Sequence, residues 1–183
     1  MVALVWVCRR FIFAERFGFV FSIRAISNQE RDFPGHDSKF GAMSNKSAKI
    51  AALIDSCRGQ DLDAHYLGYF ACFNQGLFYE SHDVLEELWL AHRDGPNYSF
   101  HKGLIQFAGA FVHLQKNRLR PAAALFKLGH ANLAKYPPIH DHLDIANVLQ
   151  MIEHWLRRLE TADFAVNPLT PDNAPKLHLL PRG

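Results

Sequence analysis

From Ser47 onward the apolar residues recur at three- and four-residue intervals, and the helix-breaking residues fall between the periodic stretches. The spacing predicts helices near 47–58, 63–75, 77–93, 98–117, 120–135 and 141–160. Gly59, Gly76 and Gly95-Pro96 supply stops, because glycine tolerates the left-handed conformation and proline cannot continue a helix. Pro121 suits a first turn, Pro137-Pro138 closes the fifth helix, and Asp141 is the expected cap of the sixth. Almost no alternating, strand-like pattern is present. The expected fold is therefore all-α, a compact bundle of about six helices built from stacked antiparallel hairpins.

The fourth of these segments is the most informative. From Gly103 to Gln115, "GLIQFAGAFVHLQ", it carries no formal charge, and a helix so apolar belongs at the centre of a bundle. Gln106 and His113 lie opposite its main apolar arc, and Gly103, Gly109 and Ala110 allow close approach of neighbours. Buried polar groups at these positions each need a partner or cost about 1–3 kcal/mol. "NQGLFYES" at Asn74 and "KNRLRPAA" at Lys116 form a weak internal echo at an offset of 42 residues, too few copies for a repeat array.

Three regions follow from this patterning: 1–43, an extension or linker; 44–162, the helical domain; and 163–183, a proline-rich extended tail expected to lie over the bundle. "MVALVWVCRRFIFAERFGFVFSIRA" is apolar, but its arginines keep every run below the roughly 20 residues of a membrane span. Its apolar residues precede its charges, the reverse of a secretory signal. A mis-assigned start, with translation beginning at Met43, is the favoured reading, and a transit peptide the alternative.

Composition changes this picture little. Of 183 residues, 49% are hydrophobic and 21% charged, enough apolar material for one core. The net charge of +2 resides in the N-terminal segment, leaving the rest formally neutral, so neither a nucleic-acid-binding face nor a membrane partner is expected. Cys8, Cys57 and Cys72 form no paired motif and suggest a reducing compartment, hence a cytoplasmic location.

Candidate chemistry concentrates in the third helix. In "YESHDVLEELW", His82, Glu86 and Trp89 fall at i, i+4 and i+7 and share one face at the edge of the apolar arc. One His-x-x-x-Glu pair is not rare at this composition, so spacing alone is weak evidence. Together, however, "GLFYESHDVLEELW" and "HKGLIQFAGAFVHLQKNRLRPAA" resemble the domain of unknown function 309 family, recognised by a His-x-x-x-Glu-x-x-Trp/Tyr motif. His82, Glu86 and Trp89 match that motif, Glu80 a glutamate common before it, and Gln106 and His113 the second family block. Asp83 departs from the usual glutamate, and Arg118 and Pro121 replace glycines. The resemblance implies an all-helical fold and a suggested metal site, without a reaction.

Two readings stand side by side. In the favoured one the motif is structural, in a module that binds a protein partner or its own copy: His82 bonds across the seam to Gln106 or a backbone carbonyl, Glu86 holds its tautomer, and Trp89 packs one helix on the next. In the other, His82, Glu86 and His113 ligate a divalent metal such as zinc, with Glu80, Trp89 and Gln106 around it, as a small-ligand site or a metal-dependent hydrolase.

Overall fold

The computed structural model describes residues 45–181. The expectations for the first 43 residues, Cys8 among them, lie outside the described residues. Six helices account for most of what is described: α1 Asn45–Ser56, α2 Ala64–Phe73, α3 Phe78–Ala91, α4 Tyr98–Gln115, α5 Leu119–Leu133 and α6 Ile145–Thr161. The fold is all-α, and consecutive helices pack on one another from α1 to α5, with α6 lying on α5.

Local chemistry sets most of the boundaries. Asp63 caps α2, its Oδ1 accepting the backbone N–H of His65 at 2.8 Å and of Tyr66 at 3.3 Å. At the end of α2, Gly76 takes φ +74, the Gly76 N–H donates to the Phe73 carbonyl and the Leu77 N–H to the Cys72 carbonyl. This pair of bonds satisfies carbonyls that the helix leaves open. The same closure ends α4, with Asn117 at φ 53 and bonds to Leu114 and His113. The structural equivalence of the two turns is thus Gly76 with Asn117, one residue out of register with the offset read from the sequence. Asp163 and Phe164 close α6 in the same way, so the similarity reflects a common way of ending a helix rather than a repeated unit.

The start of α6 corrects an expectation. Asp144, not Asp141, caps it, accepting the Asn147 N–H at 2.9 Å. Residues 139–144 form a hairpin first: strand β1 (Ile139–His140) pairs antiparallel with strand β2 (Leu143–Asp144). Asp141 and His142 make the two-residue turn, both at left-handed φ (44° and 61°), the geometry that matches the twist of the strands. Two-residue strands are too short to show an alternating pattern, and Asp-His occupies a turn for which Asn-Gly is the usual signal.

The core is aromatic. Phe73 of α2 stacks on Phe107 of α4 at 5.4 Å, Phe78 of α3 on Phe111 of α4 at 4.9 Å, and Trp155 of α6 meets Phe111 edge-on at 5.2 Å. All these rings are buried, and α4 lies at their centre. Helices α4 and α5 approach closely through glycines: a Cβ on Gly103 would lie 2.7 Å from Leu133 Cγ, and one on Gly129 would lie 3.2 Å from the Gly103 carbonyl. Beyond α6 the chain crosses the ends of α4 and α2. Asn167 donates to the Leu114 carbonyl, and the Asn74 side chain both donates to and accepts from the Leu177 backbone at 2.7 Å. Leu179 then pairs with Leu143 beside the hairpin. No helix among the described residues is long and apolar enough to cross a membrane.

Candidate functional site

Helix α3 packs between α2 and α4. Ser81 faces α2, its hydroxyl donating to the Tyr69 carbonyl at 3.1 Å, while Phe78 and Trp89 turn to α4. His82 lies in the α4-facing half of this arc and is only 5% exposed. One turn on, Glu86 is half-buried, and Asp83 beside His82 is similarly placed. One ligand atom from each of His82, Asp83 and Glu86 lies within 4.8 Å of the others, the one such group of three among the described residues.

Asp83 does more than complete the cluster. Its Oδ1 lies 3.2 Å from His82 Nδ1. A carboxylate can only accept, so this contact places the ring hydrogen on Nδ1 and leaves Nε2 with a free lone pair. The sequence assigned that orienting role to Glu86. An i, i+1 pair diverges by 100° on a helical wheel, which conceals that a buried imidazole can turn back toward its neighbour.

The other candidates are placed elsewhere. Gln106 faces α5 and not the His82 seam: its Oε1 accepts from Asn132 Nδ2 at 2.8 Å. His113 lies outside the His82 group, in the last turn of α4. Its Nδ1 is buried without a hydrogen-bond partner, and burial, followed by the charges of Arg118 and Lys116, lowers its pKa below the usual histidine value. Glu80 is 8% exposed at the start of α3, close enough to Cys72 to help raise that thiol's pKa to about 11, although burial is the larger cause. Trp89 packs on Tyr98 of α4 at 5.2 Å between ring centres, and its buried Nε1 has no hydrogen-bond partner. It therefore serves helix packing while holding one unused donor.

One histidine passed over in the sequence is prominent in the structure. His101 of α4 is 7% exposed, and burial again lowers its pKa. In sequence it is one of several scattered histidines. Only the folded chain surrounds it with Asp63, His92, His140 and Asp141, all of which act on it electrostatically.

Among known proteins, the family model described as a domain of unknown function (DUF309) matches residues 66–125, from the first turn of α2 into α5. No curated protein and no solved structure matches the chain.

Proposed function

The chain is a member of the DUF309 family through residues 66–125, a domain of unknown function, and on that premise we propose that His82, Asp83 and Glu86 form a divalent-cation site. The convergence of three ligand atoms within 4.8 Å carries this reading. Metal–ligand bonds of about 2.0–2.2 Å require ligand atoms separated by little more than about 4 Å, so modest side-chain rotations close the set around an ion. One imidazole and two carboxylates suit zinc, manganese or ferrous iron better than a soft ion. His113 drops out of the ligand set and Asp83 takes its place.

Half-buried Asp83 and Glu86 put the site at an edge of the helix pair, where positions for water or a ligand oxygen stay open. Such an ion, when bound, would act there as a Lewis acid. The chain's own contribution is to present the three side chains within one turn of α3, Asp83 exchanging its metal-free contact with His82 for the ion, and to wall the neighbouring seam with Trp89. The rival structural reading draws support from the burial of His82 and the packing of Trp89 on Tyr98. It loses Gln106 as a cross-seam partner, because Gln106 is engaged by Asn132.

Calorimetric titration of untagged, metal-stripped protein with zinc and manganese distinguishes them. Wild type should bind one ion, more weakly as pH drops through the histidine range, because a protonated imidazole cannot ligate. His82→Gln and Glu86→Gln should lose binding while unfolding in urea close to wild type without metal. A wild type that binds neither ion, with His82→Gln destabilised by about 1–3 kcal/mol, would establish the structural role instead.

A further inference from the structure

A second polar concavity lies at the end of the bundle where the start of α2, the end of α3, the start of α4 and the hairpin meet. Its volume is about 310 Å³, at the small end of ligand pockets. Its polar lining is Asp63, Tyr66, His92, Asn97, His101 and Asp141.

Three of these groups, Tyr66, Asn97 and Asp141, are tied together by hydrogen bonds that converge on Asp141. His140 Nε2 lies 2.8 Å from Asn97 Oδ1, Asn97 Nδ2 donates to Asp141 Oδ2 at 2.5 Å, and the Tyr66 hydroxyl donates to the Asp141 carbonyl at 2.9 Å. Asp141 is kept there at a left-handed φ of 44°, a conformation that costs energy and that this network sustains. On the other wall, His92 Nδ1 lies 3.1 Å from the Leu88 carbonyl, so Nδ1 carries the hydrogen and Nε2 keeps its lone pair. His101 is more than nine-tenths buried, lines the pocket, and has no hydrogen-bond partner on its ring among the described residues.

The chemistry presented is one-sided. The lining holds two carboxylates and imidazole lone pairs, and no lysine or arginine. That disfavours an anion. A metal ion is disfavoured too, since no three ligand atoms here come within the 4.8 Å that the His82 group achieves. Leu62, Leu88 and Pro96 supply a short apolar wall beside the acceptors.

We propose that this pocket binds a small organic ammonium ion, a primary or secondary amine on a short aliphatic body, with Asp141 as its counter-ion and His92 and His101 as further acceptors. The site is separate from the His82 cluster and stands or falls without it. Acid weakens it: the groups facing His101 are Asp141 and His140 of the hairpin, Asp63 before α2 and His92 after α3. Protonating His101 removes an acceptor and adds repulsion toward a cation. Burial keeps His101 neutral at pH 7, so the pocket is open to an ammonium ion there.

The test follows the ring resonances of His92 and His101 by NMR in the full chain. The probes are n-butylammonium and 1,4-diaminobutane, with butyrate and 1-butanol as matched controls. Both amines should shift these resonances saturably at neutral pH, and the controls should not. Asp141→Asn keeps a residue that tolerates left-handed φ, so it should fold like wild type and weaken amine binding roughly tenfold or more. His92→Ala, at the exposed end of α3, is the second variant and should weaken it less. His82→Gln should leave amine binding unchanged. Amine shifts that survive in Asp141→Asn, equal shifts with butyrate, or no saturable shift in wild type would overturn the proposal.

Discussion

Two histidines of α4 tie the stability of the protein to pH. His101 and His113 are held below the ordinary histidine pKa of 6.5, both chiefly by burial. In the unfolded chain both rings take up protons near 6.5, whereas the folded chain resists. Below that pH the unfolded state therefore binds more protons, and stability falls as the medium is acidified toward the folded-state values. Above it both states are neutral and the contribution is complete. Melting temperatures followed by circular dichroism should drop between pH 7 and 5, and His113→Gln should flatten part of the slope. An unchanged slope in that variant would show that His113 is not a source of it. At this scale the sequence showed His82 and Glu86 as a pair, since i, i+4 neighbours share a face whatever the surroundings. It missed Asp83, Gln106's partner and His101, because each depends on how a side chain turns or on what another helix brings to it.

Among the elements, the contact of α4 with α5 is the most demanding, because it uses glycine on both helices. Replacing a helical glycine with alanine gains about 1 kcal/mol of propensity. Against this, a Cβ at residue 103 would lie 2.7 Å from Leu133 Cγ, and overpacking a filled core costs about 1–3 kcal/mol. At Gly129 the nearest atom is 3.2 Å away, so the two effects come closer to cancelling. Urea unfolding should accordingly find Gly103→Ala less stable than wild type and Gly129→Ala near it; the reverse order would mean that Leu133 yields easily and that α5 is not pinned here. The glycines could be seen in the sequence, and Gly103 was expected to allow close approach. Which helix comes close, and at which partner, could not.

In the whole described molecule, the last segment closes the fold. Leu177, 2% exposed, inserts where Asn74 grips its backbone from both sides, and the chain then pairs with the hairpin through Leu143 and Leu179. If this segment unfolds together with the bundle, Leu177→Ala should cost about 2–5 kcal/mol, as other buried leucines do. Urea melts would read that loss, and hydrogen exchange at the Leu177 amide would report opening at the global rate. A wild-type-like melt for Leu177→Ala, with fast exchange at that amide, would show the tail to be an independent strap.

Among the described residues, the amino-acid sequence by itself determined the number of helices, most of their ends, the apolar character of α4 and the pairing of His82 with Glu86. Each of these is settled by residues within a turn or two of one another: the 3.6-residue period, glycine at a left-handed helix stop, and proline after the last turn. Only the tertiary structure decided that Asp141 turns a hairpin rather than capping α6, that Gln106 answers to Asn132, that the tail docks at Asn74, and that His101 shares a pocket with Asp63 and Asp141. The partners in these contacts are 26 to 103 residues apart where a hydrogen bond joins them. Such meetings depend on which helix faces pack together, and local periodicity shows that a face is apolar without naming the face it will meet.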